Sequence, residues 1–205
     1  MLQLILASSS PFRSELLTKL GLNFSVSSPE IDESRFKNES PKQLVYRLSQ
    51  EKALKVAKNE DGIIIAADQV ATLGKGGSSL DEILTKPHTH ENAIKQLKQS
   101  SGNTVTFLTG LSLLNTDTGN LQTVVEQFKV FFRELTIDQI EDYLVKERPY
   151  NCAGSFKSEA LGICLFERLE GDDPNSLIGL PLIKLVRMLE NEGIEVISNS
   201  NSAGS

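Results

Sequence analysis

Two short runs of this sequence are apolar at every position: LILA at residues 4–7 and IIIAA at residues 63–67. A strand with one solvated face alternates apolar and polar residues, so runs without alternation are typical of strands buried on both faces. Helix signals lie between the two runs, because Ser10-Pro11 and Ser40-Pro41 each place an N-capping serine before a proline at the first helical position. Strands that alternate with helices in this way predict an α/β fold.

The second half of the chain predicts a hairpin. Residues 104–115 and 121–132 surround the turn TDTGN, and the second arm alternates strongly, so the two arms are expected to pair as antiparallel strands. LGICLFERL (161–169) is interpreted as a further strand. Together these elements predict a single α/β domain with a mixed sheet over residues 1–196, followed by a flexible polar tail at 197–205.

The composition disfavours two classes of partner. A net charge of −6 and a pI near 5.1 argue against a nucleic-acid partner, because its phosphates would be repelled on average. The longest apolar runs are too short to span a bilayer and no basic signal-peptide start precedes the first strand, so a cytoplasmic protein with no membrane partner is expected. Cys152 and Cys164 form no CxxC motif, and both are interpreted as small buried residues.

Arg13 lies where a cation is least expected, in the first turn of the helix that follows Ser10-Pro11. The N-terminal end of a helix presents free N–H groups and a partial positive charge, so a cation there is mildly unfavourable. An anion held by the backbone N–H groups, by the hydroxyls of Ser8 to Ser10 and by the guanidinium would explain the arrangement. The alternative is an ordinary N-cap with a solvated arginine.

Lys52 lies in the middle of an apolar stripe. Leu44, Leu48, Lys52 and Val56 are four residues apart on one helix face, which places the lysine on the side that should meet the core. A buried or cleft-lining anionic partner is one explanation, and a snorkelling side chain is the other.

Asp68 follows five apolar residues at the carboxyl end of the strand at 63–67, where α/β sheets place their ligand crevices. It needs a cation, a metal or several donors, unless it caps a turn. PEIDES (29–34) adds three carboxylates; such clusters are usually solvated, but beside an anion site this one would suit Mg²⁺, which binds few carboxylates together with substrate phosphates. Lys86, held extended by Pro87, is either a second phosphate contact or a surface lysine.

The motifs of this chain and their order along it resemble those of the Maf family of nucleoside triphosphate pyrophosphatases. The resemblance rests on LILASSSPFRSELL, EIDES, QEKA, AADQV, TKP and CAGSFKSEALGICLFERLEGDDPNSLIGLPL, and it covers residues 4 to about 190. Within the family the chain is most similar to the branch that acts on 7-methyl-GTP. The loop at 74–82 is several residues longer than the family pattern.

The resemblance implies an elongated mixed β-sheet flanked by helices, with a central cleft between two lobes, and a homodimer. It also implies cleavage between the α- and β-phosphates with a divalent metal, Mg²⁺ or Mn²⁺. The implied triphosphate contacts are Ser8, Arg13, Lys52 and Lys86. Asp68 is implied as the proton acceptor and Glu33 with Asp68 as metal ligands, and the sequence leaves open which of these roles Asp68 takes.

Three further positions bear on the base. The resemblance implies that the dTTP- and UTP-preferring branch of the family has Arg, Thr and Gln at three positions. This chain has Phe12, Gln69 and Glu159 there. A 7-methylguanine ring is cationic, so Phe12 would attract it by a cation–π interaction of about 0.5–2 kcal/mol, and Glu159 could accept from guanine N1 and N2. Phe12 could instead pack on the apolar face of its own helix.

Three interpretations of function stay open at this point. The first is a 7-methyl-GTP pyrophosphatase, and the second is a pyrophosphatase with a broader or pyrimidine preference. The third is a nucleotide-binding regulator of septation that has no catalytic activity.

Overall fold

The two apolar runs lie side by side in the computed structural model, which describes residues 3–74 and 82–197. Strand β1 (Leu4–Ala7) pairs in parallel with the first residues of β3 (Ile63–Leu73). On its other edge β1 pairs in parallel with β2 (Phe24–Ser27). The prediction of a buried parallel core at this end of the sheet is therefore confirmed.

The remaining strands make the sheet mixed, as expected. They are β4 (Glu82–Leu84), β5 (Thr104–Asn115), β6 (Leu121–Phe132) and β7 (Phe166–Glu170). Within the described residues the order is β2-β1-β3-β5-β6-β7, with β4 also paired to β3. The predicted hairpin is confirmed as β5 and β6. Strand β3 is parallel only to β1, because its second half extends past β1 and pairs antiparallel with β4, and its other edge pairs antiparallel with β5.

The prediction of a strand over 161–169 is half wrong. Leu161–Leu165 form a 3₁₀ turn, and only the residues from Phe166 onward belong to β7. The turn is tight because the Gly162 N–H donates to the Lys157 carbonyl at 3.1 Å, and a Cβ on Gly162 would collide with that carbonyl. This turn leaves Cys164 exposed, so the prediction that it is buried is wrong, and Cys152 is half-buried.

Six α-helices lie within the described residues, and the first two begin at the predicted Ser-Pro capping signals. They are α1 (Pro11–Thr18), α2 (Pro41–Val56), α3 (His90–Ser100), α4 (Ile137–Glu147), α5 (Asn175–Ile178) and α6 (Leu182–Asn191). Ser10 and Ser40 are the N-caps of α1 and α2, and Ser40 forms a reciprocal capping box with Gln43. No helix within the described residues is long and apolar enough to cross a membrane. The predicted tail from 198 onward and the long loop at 75–81 lie outside the described residues.

The core falls into two regions along the long strands, which agrees with the expected two lobes. At one end, alternate residues of β1 and β3 face opposite sides of the sheet, one side packed by α1 and α6 and the other by α2. At the other end, Ala71 of β3 packs with β5, β6, α3, α4 and a cluster of phenylalanines. Asp68 and Gln69 lie on β3 between these two regions. The topology therefore places them at the junction where a cleft forms.

Candidate active site

A cavity of about 560 Å³ lies at this junction. All of the site residues chosen from the sequence line it: Ser8, Phe12, Arg13, Glu33, Lys52, Asp68, Gln69, Lys86 and Glu159. They come from α1, α2, β3 and four connecting segments that are far apart in the sequence. The expectation that the scattered cations and the strand-end carboxylate reach one cleft agrees with this placement, and their individual roles stay predictions.

Lys52 joins two carboxylates at the floor of the cleft. Its Nζ donates to Asp68 Oδ1 at 2.6 Å and lies 2.7 Å from Glu33 Oε1. The side chains of Lys52 and Asp68 are 8% and 9% exposed, whereas that of Glu33 is 59% exposed. Lys52 is therefore a buried, paired lysine and not a snorkelling one, and the ion network opens to the cleft on the side of Glu33.

A glycine on the neighbouring strand lets α2 approach closely enough for this contact. Gly110 of β5 lies directly opposite Asp68 in the sheet. A Cβ at Gly110 would collide with the Val45 carbonyl of α2, so the helix backbone rests on the strand at this point. A second link is the hydrogen bond from Ser112 Oγ to Ser49 Oγ at 2.9 Å. The helix face that carries Lys52 is thus fixed against the strand beside Asp68.

Burial dominates the electrostatics of Asp68. Loss of solvation raises the pKa of this carboxyl above its ordinary value, and the charges of Lys52 and Arg13 act in the opposite direction. A raised pKa moves a carboxyl towards the basicity that general-base catalysis at neutral pH requires. The cations meanwhile favour the ionised form. This environment agrees with the role of proton acceptor for Asp68, and that role stays a prediction.

Arg13 is held in the cleft by contacts on both sides of its guanidinium. Its Nε donates to the Gly179 carbonyl at 2.9 Å and its Nη1 donates to Ser8 Oγ at 3.4 Å. Burial lowers the pKa of Arg13, while the nearby carboxylates of Asp68 and Glu33 raise it; an arginine stays protonated under such influences. The cation in the first turn of α1 is thus directed into the cleft and is not a solvated surface group.

Gln69 is fixed by its amide nitrogen. Nε2 donates to Thr109 Oγ1 at 2.9 Å and to the carbonyls of Ser176 at 2.6 Å and Leu177 at 3.3 Å. An amide group has only two N–H hydrogens, so these partners occupy its donor capacity. Gln69 can therefore offer a ligand its carbonyl oxygen, which is an acceptor.

The other end of the cleft is open. Phe12 is 42% exposed and lines the cavity, so it is not packed into the core on the face of α1 that carries Leu16. Glu159 is exposed on a connecting segment and accepts from Ser158 Oγ at 3.3 Å. Lys86, a predicted phosphate contact, is exposed on another connecting segment. These three side chains are in place to contact a ligand that enters from solvent.

Sequence reasoning about individual residues missed part of the cleft wall. Asn151, Cys152, Phe156 and Ser158 line it from the segment between α4 and β7, and Leu177 lines it from α5. The first four lie in irregular segments and Leu177 lies in a helix of only four residues, so no periodic pattern marks them. The one available signal is the density of small and polar residues in NCAGSFKSEA, which is typical of a segment that lies close to a ligand.

The predicted metal ligands suit only a minimal site. Across residues 3–74 and 82–197, no three His, Cys, Asp or Glu side chains are grouped to hold a metal ion. Glu33 and Asp68 are two carboxylates that both form an ion pair with Lys52. Mg²⁺ is commonly bound by one or two carboxylates together with substrate phosphates and water. The pair therefore fits a metal that arrives with a polyphosphate.

A buried carboxylate, three cations and an exposed phenylalanine line one cleft of a mixed α/β sheet, which is a lining suited to a polyanionic ligand. The chain belongs to the Maf family: the family description "Maf-like protein" matches residues 3–192. It is 53% identical over 195 residues to the 7-methyl-GTP pyrophosphatase of Nitrosococcus oceani, covering 95% of each chain. It is also 54% identical over 196 residues to the protein of the same name from Pseudoalteromonas translucida, covering 95% of this chain and 94% of that one.

Solved structures agree on the fold. A HAM1 protein from Coxiella burnetii matches with a TM-score of 0.50 at 13% identity, covering 93% of this chain and all of that one. The Ham1 protein of Staphylococcus aureus matches with a TM-score of 0.51 at 15% identity, covering 93% of this chain and 99% of that one. At such low identity these likenesses bear on the fold alone, and they confirm the expected fold class.

Proposed function

We propose that this protein is a nucleoside triphosphate pyrophosphatase that hydrolyses 7-methyl-GTP to 7-methyl-GMP and pyrophosphate. The observation that carries the proposal is the Asp68–Lys52–Glu33 network, which is buried at Asp68 and Lys52 and faces the same cavity as Arg13 and Ser8. The name shared by relatives about half identical in sequence supports the substrate.

The proposed reaction uses these groups in the following way. Asp68 accepts a proton from a water molecule whose oxygen attacks the α-phosphorus, and the bond from that phosphorus to the bridging oxygen breaks. Pyrophosphate leaves with the bonding electrons. Arg13, Lys52 and Lys86 are the cations that can balance the charge which develops on the leaving group.

A divalent metal would be held by Glu33 and Asp68 together with substrate phosphate oxygens. When bound, such an ion neutralises phosphate charge and polarises the phosphoryl oxygens. Lys52 contacts both carboxylates, so it holds the two proposed ligands at one place. Mg²⁺ and Mn²⁺ are the ions proposed.

The base preference is proposed to come from the open end of the cleft. Phe12 offers a π-face to the cationic 7-methylguanine ring, and Glu159 offers a carboxylate to the N–H groups of its Watson–Crick edge. Gln69 adds an acceptor, because its donors are committed to the protein. A pyrimidine edge rich in acceptors would meet acceptors here, which disfavours dTTP and UTP.

A substrate panel in ¹⁸O-labelled water tests the proposal. The purified protein is incubated with 7-methyl-GTP, GTP, dTTP or UTP and with Mg²⁺ or Mn²⁺, and the products are identified by mass spectrometry. We expect the highest kcat/KM for 7-methyl-GTP, with pyrophosphate as product and the label in the monophosphate. The proposal would be contradicted by release of inorganic phosphate, by label in pyrophosphate, or by nucleotide binding without turnover. A preference for dTTP or UTP would show that the proposed substrate is wrong, while the proposed reaction type would stand.

A further inference from the structure

One backbone segment, residues 173–180, contacts side chains at both the phosphate end and the base end of the cleft. The Gly179 carbonyl accepts from Arg13 Nε, and the Ser176 carbonyl accepts from Gln69 Nε2. Backbone carbonyls have fixed directions once the chain is fixed. The conformation of this segment therefore sets where both side chains point.

The segment has little regular structure of its own to hold it. Helix α5 has only four residues, and it ends at Gly179 with φ +120°, a conformation that L side chains rarely adopt. A Cβ at Gly179 would lie 3.3 Å from Arg13 Nε, so the glycine also makes room for the arginine. A short, tightly turned stretch of this kind needs an anchor elsewhere.

Asp173 supplies that anchor from a fully buried position. Its Oδ1 accepts from the backbone N–H and the side-chain amide of Asn175, both at 2.8 Å. Its Oδ2 accepts from the backbone N–H of Ile183 in the first turn of α6 at 2.7 Å. One carboxylate thus fastens the chain on both sides of the segment.

From this geometry we propose that Asp173 is a positioning residue for the reaction. It holds the segment whose carbonyls orient Arg13 towards the phosphates and turn the amide of Gln69 so that its acceptor faces the base. The inference rests on the proposed pyrophosphatase function, and it adds that base selectivity depends on a carboxylate that does not itself line the cleft.

The test is Asp173→Asn, with Asp172→Asn as its matched control. Both oxygens of Asp173 accept from N–H groups, so an amide nitrogen at that position faces a donor whichever way the side chain is turned. Asp172 is the exposed neighbour, and its substitution removes the same charge. The measured quantity is the ratio of kcat/KM for 7-methyl-GTP to that for UTP, which does not change when part of the enzyme is merely inactive.

We expect the ratio to fall about tenfold in Asp173→Asn, the size of effect that one unpaired buried group produces, and to stay at the wild-type value in Asp172→Asn. KM should rise for both substrates, because Arg13 is also displaced. In a Gln69→Ala background, adding Asp173→Asn should leave the ratio unchanged, because the residue through which Asp173 acts on the base is already gone.

Asn175→Ala guards against a misfolded variant, since it removes one of the three hydrogen bonds and keeps the carboxylate. We expect it to shift the ratio in the same direction by a smaller factor. If both variants keep the wild-type ratio and KM, and lose only thermal stability or active fraction, Asp173 is structural and the inference is wrong. If the wild-type protein hydrolyses no nucleotide, the proposed function fails, which is a separate result.

Discussion

The two ends of the cleft are built in different ways. At the phosphate end, Lys52 and Asp68 are buried, come from a helix and a strand, and are bonded to each other. At the base end, Phe12 and Glu159 are exposed. The first end is preorganised before any ligand arrives, whereas the second gains its contacts from the ligand.

This difference assigns the two ends different tasks. Charges fixed in a site of low solvent access stabilise a developing charge without reorganisation, so a change at the phosphate end should act on kcat. Exposed side chains offer weaker and more easily screened contacts, so a change at the base end should act on the choice of substrate. The substitutions below test this division in order of expected effect.

Asp68→Asn should have the largest effect. The amide keeps the volume of the side chain but cannot accept a proton, so kcat should fall about 10²–10⁴-fold, the range for loss of a general base. Steady-state kinetics measure it, and circular dichroism confirms that the variant is folded. Asp61→Asn is the matched control, because Asp61 is exposed just before β3. Near-normal turnover by a folded Asp68→Asn variant would show that Asp68 is not the general base.

Lys52→Met should follow, with a fall in kcat of about 10²–10³-fold through loss of a fixed charge. It should also move the acid limb of the pH–rate profile. Asp68 acts when ionised, burial already raises its pKa, and Lys52 is the largest influence that lowers it; removing Lys52 therefore raises that pKa further and shifts the limb to higher pH. Lys55→Met, an exposed lysine on the same helix, should leave the limb in place. If the acid limb of Lys52→Met stayed in place, Lys52 would not influence the pKa of Asp68 in the way proposed.

The contrast between the two ends also explains what the sequence could predict. Lys52 and Asp68 were identifiable because each breaks an apolar pattern, one on a helix stripe and the other at the end of a buried strand. Caps likewise predicted where α1 and α2 begin, and the apolar pattern predicted the hairpin and the parallel pair. The partnership between Lys52 and Asp68 was not predicted, because it depends on how closely α2 packs on Gly110, a tertiary contact that leaves no local pattern.

The segments outside regular structure were harder to predict. The 3₁₀ turn at Leu161–Leu165 has the apolar content of a strand, and only the backbone contact of Gly162 decides against one. Asp173 in GDDP looks like an ordinary acidic turn residue, and its burial follows from the docking of α5 and α6. Phe12 and Glu159 were assigned by family resemblance, since an exposed side chain carries no periodic signal. For Lys86 the residues alone left open a phosphate contact or a surface lysine.

Phe12→Leu should change selectivity more than turnover. Leucine keeps an apolar surface but has no π-face, so kcat/KM for 7-methyl-GTP relative to GTP should fall about 2- to 30-fold, the equivalent of a cation–π contact of about 0.5–2 kcal/mol. GTP is the internal control, because its base has no positive charge. Phe12→Trp should raise the same ratio. An equal loss of kcat/KM for 7-methyl-GTP and GTP would show that Phe12 contributes only to the shape of the cleft and not to recognition of the positive charge.

Glu159→Gln should have the smallest effect, because Glu159 is exposed and water competes for its hydrogen bonds. We expect kcat/KM for 7-methyl-GTP to fall by up to about fivefold, as for an exposed charge contact worth up to about 1 kcal/mol, with kcat almost unchanged. The loss should be greater at low than at high ionic strength, since salt screens the wild-type contact. Glu167→Gln, an exposed glutamate on β7, supplies the matched control. A salt-independent loss of kcat in Glu159→Gln would mean that this residue belongs with the preorganised end of the cleft, and the division between the two ends would no longer hold.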